Sequence, residues 1–194
     1  MKRTPLLLVL TLPLAGCISF GAAPPPSLLT LEPTSEIAVG QVRSTAGART
    51  VQVQSLTVAQ ALATPRVPVQ ATPTTVAYVK DAVWSEPPAR LFARLLGDTL
   101  SARTGRVVLS GAQALTDPGA QLGGDLRAFG LDATERVAVV TYDATLIRGQ
   151  STIVQKRRFE AKVPVGTIDA ASAGPALNQA ANQVATDVAD WVGR

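Results

Sequence analysis

The sequence predicts an α+β domain: a mostly antiparallel sheet carrying two amphipathic helices, preceded by a lipoprotein signal and a proline-rich tether. Three observations predict it. Long alternating segments at about residues 121–131, 136–148 and 151–163 are joined by short turns, and neighbours so connected pair antiparallel. Two other stretches, after Pro88 and after Pro175, repeat their apolar residues at helical spacing. Hydrophobic residues make up 46% of the 194, enough for one sizeable core, and aromatics only 4%, so Ala, Val and Leu must fill it.

Lys2 and Arg3 precede an apolar run, Leu6–Leu14, interrupted by Thr11 and Pro13. That run is far too short to span a bilayer as a mature helix. Leu14-Ala15-Gly16-Cys17 completes a lipobox, with small residues before the chain's single cysteine. The expected chemistry is a diacylglyceryl thioether on Cys17 Sγ, cleavage before Cys17 and acylation of the new amine. The competing reading is an ordinary secretory signal with an incidental, unpaired thiol. Two or three acyl chains anchor stably where one is marginal. Ile18, not Asp, follows Cys17; under the enterobacterial sorting rule this directs the protein to the outer membrane, facing the periplasm, in preference to the inner. Residues 1–16 are thus a signal peptide. Residues 17–26 end in Pro24-Pro25-Pro26, read as an extended semi-rigid spacer or as simple disorder; on either reading the domain occupies 27–194.

Within the domain, Ser27–Leu31 reads as a short first strand ended by Glu32-Pro33, and 34–48 as a loop. Thr50–Val58 alternates as a strand. Residues 64–75 carry prolines at 65, 68 and 73 and read as a loop or broken edge strand. Val76–Lys80 is another short strand. Glu86-Pro87-Pro88 starts a helix, because early helical positions tolerate proline and favour negative charge. Its inward stripe is Leu91, Phe92, Leu95, Leu96 and Leu100, with Arg90, Arg94 and Asp98 outward. Gly105 stops it, and Arg106–Leu109 is a strand. In the long segments, Leu126 and Phe129 have opposite parity, which predicts a bulge between them. Pro164 closes the run. The last helix spans Pro175–Val192, with Leu177, Ala181, Val184, Val188 and Trp191 inward, and Gln179, Gln183, Thr186 and Asp190 outward.

Charge and composition exclude several functions. The formal charge is +4, but Lys2 and Arg3 leave with the leader, so the mature chain is close to neutral. Apart from Lys156-Arg157-Arg158 the basic residues are scattered and lack interleaved aromatics, so no nucleic-acid partner is expected. That triplet reads first as a solvated strand face, and otherwise as a contact to anionic headgroups or an acidic partner. There is no histidine, which removes the commonest general base and the standard zinc sites. No P-loop and no GxSxG motif occur. Gly123-Gly124-Asp125 precedes a strand, not a helix. Asp132 and Glu135 flank a turn and do not announce a catalytic pair. No enzyme activity, cofactor or metal is expected.

One segment carries a positive signal: Tyr78-Val79-Lys80-Asp81-Ala82-Val83-Trp84-Ser85-Glu86-Pro87-Pro88-Ala89-Arg90-Leu91. Together with the lipobox, the Arg158-Phe159 pair and the late Trp191, it resembles the ABC-type transport auxiliary lipoprotein family, which includes the lipoprotein of paraquat-inducible-type operons. The resemblance runs over nearly the whole mature chain. Leu29-Thr30-Leu31 departs from it, since a Tyr-x-Leu pattern is usual there. The resemblance implies an accessory of a lipid transporter built from an ABC ATPase, a permease and a membrane-anchored mammalian-cell-entry (MCE) protein. This chain would dock on the MCE protein, with energy supplied by the ATPase. Tyr78, Trp84, Glu86 and Pro87 are the candidate partner-binding residues; the competing and favoured reading is structural, with Trp84 plugging the base of the first helix and Glu86 on its dipole. The alternative function is a lipid carrier holding an acyl chain between the Leu91–Leu100 stripe, the Ala-rich last helix and the sheet. Self-association is left open.

Overall fold

The structure, a computed structural model, describes residues 27–46, 48–109, 113 and 119–193. The expected signal peptide, Cys17 and the tether lie outside the described residues. In chain order the elements are β1 (Thr50–Val53), β2 (Thr57–Val58), a 3-10 turn (Gln60–Leu62), β3 (Arg66–Thr72), β4 (Thr75–Val83), α1 (Pro88–Thr104), β5 (Val107–Leu109), β6 (Ala120–Asp132), β7 (Val137–Arg148), β8 (Val154–Pro164) and α2 (Ala170–Gly193).

β6 is the spine of one mixed sheet. Along one edge it pairs antiparallel with β7 over its whole length, and β7 pairs antiparallel with β8. Along the other edge it receives β1, β2 and β3 end to end, all parallel. β4 closes one flank, antiparallel to β3, and β5 the other, parallel to β1. The long ladders are therefore antiparallel, as short turns require, and the short ladders parallel. The expected bulge is present: the register slips between Leu126 and Ala128, which lets Leu126 and Phe129 both enter the core.

Several elements differ from expectation. Ser27–Leu31 is not a strand but a single bridge, Leu29 to Trp84. Its partner cannot extend, because Pro87 and Pro88 have no N–H to offer a ladder. The strand expected over 50–58 splits into β1 and β2. Val53 faces Leu122 while Thr57 faces Asp125, so the chain bulges by one residue between them. Residues 66–72, read as loop or edge, form the interior strand β3. Pro68 sits there because the ladder slips between Arg66 and Pro68, where no N–H is demanded. The strand expected to end at Lys80 continues to Val83. Lys80 and the left-handed Asp81 (φ 58°) bulge outward, so Val79 and Ala82 both point inward.

α2 begins at Ala170, one turn before Pro175, because Asp169 caps it. The Asp169 carboxylate accepts from the Ser172 N–H at 2.8 Å. α1 ends at left-handed Gly105 (φ 70°), whose N–H donates to the Ser101 carbonyl at 3.2 Å. Both helices cover one face of the sheet and run in the same direction. Leu29 lies beside Trp84 and against Gly174 where they start; Arg103 meets Asp190 at 2.8 Å where they end. The α1 stripe is completely buried, from Leu91 to Leu100. Phe92 packs edge-on to Tyr142 at 5.5 Å and tilted to Phe129 at 6.1 Å, so side chains fill the space between helix and sheet.

Candidate functional site

The segment singled out by sequence is the junction between β4 and α1, and the N-terminal chain is stapled to it. The Leu29 N–H donates to the Val83 carbonyl, and the Ser85 N–H donates back to the Leu29 carbonyl, both at 2.8 Å. The Trp84 N–H between them donates to the Pro65 carbonyl at 2.7 Å. Trp84 is thus held from both sides through its backbone, and its side chain is 1% exposed. Its indole meets Phe129 edge-on, and its Nε1–H has no hydrogen-bond partner among the described residues.

The other candidates lie around this plug. Glu86 is half-buried; it accepts from Arg94 at 2.6 Å and lies 3.8 Å from Arg90, which joins the junction to the outer face of α1. Pro87 is the N-cap position, extended at φ −53° and ψ 137°, with no side-chain capping bond. Tyr78 is half-buried on β4, and the Arg66 guanidinium lies 4.1 Å from its ring centre. Backbone continuity brings Trp84, Glu86 and Pro87 together; Tyr78 stands farther back along the strand.

Beyond Leu29 the chain continues along α2, held by two asparagines one helical turn apart. The Glu32 N–H donates to Asn178 Oδ1 at 2.9 Å, and the Thr34 N–H to Asn182 Oδ1 at 2.8 Å. Asn182 Nδ2 returns a bond to the Glu32 carbonyl at 2.9 Å. Sequence reading missed this clasp; its signal was an Asn pair at i, i+4 on an amphipathic helix.

The opposite face of the sheet is solvated and ionically paired. Arg158 donates two bonds to the Asp143 carboxylate, at 2.6 and 2.7 Å. These bonds hold Asp143 below the usual carboxylate range. Lys162 binds Glu135 at 2.6 Å, and Thr141 Oγ1 donates to Glu160 at 2.8 Å. Of the basic triplet, Lys156 and Arg158 are exposed on the strand, and Arg157 lies 4.9 Å over the Phe159 ring. Trp191 packs on Phe159 at 5.6 Å and is only half-buried. Among the described residues no His, Cys, Asp or Glu cluster could hold a metal ion. No helix among them is long and apolar enough to cross a membrane.

A parallel helix pair on one face of a mixed sheet, with the N-terminal chain clasped where both helices begin, defines a two-layer α+β domain that is entered from one end. The chain belongs to the family described as the ABC-type transport auxiliary lipoprotein component, whose sequence model matches residues 30–189. The fold is shared with the crystal structure of a Xanthomonas campestris protein assigned to DUF330. That similarity has a TM-score of 0.67 and 23% identity over 86% of this chain and 93% of the other. It is shared also with a crystal structure of an uncharacterized protein, with a TM-score of 0.63 and 19% identity over 74% of this chain and 92% of that one. No curated protein matches the chain.

Proposed function

We propose that this chain is the periplasm-facing auxiliary lipoprotein of an MCE-type ABC lipid transport system. It is lipidated on Cys17, held at the outer membrane, and docks on the MCE component through the Tyr78–Pro87 segment. Membership of the transport auxiliary family is the observation that carries this reading. The Leu29–Trp84 staple adds to it, because it joins the docking segment to the point where the tether enters the domain. Trp84 acts from inside the core, fixing the shape of the junction, while the half-exposed Tyr78, Glu86 and Pro87 meet the partner. Transport energy comes from the ATPase, so this chain needs neither catalytic groups nor a cofactor. The carrier reading gains nothing from the space between helices and sheet, which aromatic and leucine side chains occupy.

Site-specific photocrosslinking in the native host tests the docking. A photoreactive residue at position 78 or 86 is expected to capture the MCE protein, and one at Lys162, on the far sheet face, is not. Adducts that map only outside the transporter, or none at 78 and 86, would remove the proposal.

A further inference from the structure

At the end of the domain away from the tether, three arginines converge with no carboxylate among the described residues. Arg49 precedes β1, Arg106 follows α1 and Arg148 ends β7; together with Thr50, Leu109 and Ala120 they line a cavity of about 740 Å³. Among the described residues no Asp or Glu lines it, and none of the three arginines has an ion pair. Arg106 is 6% exposed, an unusual position for a guanidinium. Burial first, and then the charges of Arg148 and Arg49, pull it below its ordinary value, so the three cations feel one another.

Part of this charge has a structural use. Arg106 and Arg148 both donate to the Val192 carbonyl, at 3.2 and 3.0 Å, and Arg148 also to the Trp191 carbonyl at 3.2 Å. They cap the C-terminus of α2, where cations are favoured. α1 ends at the same place. Two helix ends supply about one negative charge between them, at about half a charge each. Three guanidinium groups exceed that by about two positive charges. Each guanidinium has five N–H donors, and the caps use two on Arg148 and one on Arg106. Arg49 is exposed and spends none on a described residue.

We infer that the Arg49–Arg106–Arg148 cavity binds a phosphate group. Several guanidinium forks require more acceptor oxygens than the two of a carboxylate, and a phosphate supplies them together with a matching double charge. The cavity is much larger than a phosphate ion, so it admits a phosphate carried on a larger body. The site lies beyond the length of α1 from the Leu29 staple, about 25 Å for its 17 residues. It therefore opens at the end opposite the tether, and its ligand arrives from that side.

Calorimetric titration of the mature chain in detergent with inorganic phosphate and with monomeric short-chain phosphatidic acid tests it. Saturable binding is expected, weakened about tenfold or more by Arg49→Gln, the loss of one charge-assisted contact. Arg49 has no capping role, so this variant keeps the fold, whereas Arg106→Gln also uncaps α2. Equal affinity for the two probes identifies a soluble phosphate compound as the ligand, and tighter lipid binding identifies a headgroup; both uphold the site. Absence of saturable binding, indifference to Arg49→Gln, or succinate bound as tightly as phosphate would overturn it.

Discussion

The indole of Trp84 meets the ring of Phe129 edge-on, with centroids 5.5 Å apart and planes at 64°. This contact joins the β4–α1 junction to the spine strand β6, and every other feature of the junction is arranged around it.

Trp84→Ala is expected to cost about 3–5 kcal/mol, as for other large buried side chains. Trp84→Phe should cost much less, because it keeps a ring against Phe129 and removes a buried N–H that has no partner among the described residues. Equilibrium urea denaturation of the mature chain would read both. Equal losses for the two variants would show that ring packing is not what holds the junction.

Asn182 makes its bonds while 5% exposed, so Asn182→Ala leaves the Thr34 N–H and the Glu32 carbonyl without their partners. A loss of about 1–3 kcal/mol is expected. Hydrogen exchange should accelerate at the Thr34 amide before the core amides of β6 and β7 respond. Unchanged exchange at Thr34 would show that the clasp does not hold the N-terminal segment.

Tyr142 donates its hydroxyl to the Gly123 carbonyl at 2.5 Å and is fully buried. Desolvation first, and then Asp125, push its pKa far above the tyrosine range. The folded state keeps the proton that the unfolded state loses near pH 10. Its stabilising share is therefore complete below about pH 10 and is lost as pH rises above it. Tyr142→Phe should flatten this alkaline decline relative to wild type, and lower stability at neutral pH by about 1–3 kcal/mol by orphaning the carbonyl. Thermal melts of both proteins across pH 8–11 would show the difference, and parallel curves would refute it.

Asp143 is the mirror case. Arg158 lowers its pKa, so the pair's contribution is present above the ordinary aspartate pKa and fades as pH falls through the lowered value. Arg158→Ala should raise the Asp143 carboxyl pKa toward the ordinary range in an NMR titration. Because both side chains meet solvent, added salt should narrow the difference.

Cys17→Ser should abolish acylation and move the protein from the membrane fraction to the soluble periplasmic fraction, since no described helix can replace the anchor. Mass spectrometry of the mature wild type should find acyl groups on residue 17. A Cys17→Ser protein that stays with the membrane would exclude the lipid as the anchor.

Local rules determined much of this domain before any tertiary contact was known. Side-chain alternation gave β6, β7 and β8 within a few residues, because one face of each strand is solvated and the other is not. The Leu91–Leu100 stripe and the Gly105 stop gave α1, and opposite parity at Leu126 and Phe129 gave the bulge. The Trp-Ser-Glu-Pro segment and the lipobox pointed to the family. Tertiary structure decided the rest. Pro68 belongs to an interior strand because Gly130, lacking a Cβ, lets β6 approach the Pro68 carbonyl; a Cβ there would collide with it. The direction of β1, β2 and β3 relative to β6 depends on distant pairings that no local pattern encodes. Asn178 and Asn182 found partners almost 150 residues away, and Arg49, Arg106 and Arg148 met only because the start of β1 and the ends of α1 and β7 come to one place. Periodicity reports which face of an element avoids water; which partner lies across that face is set by packing the whole chain.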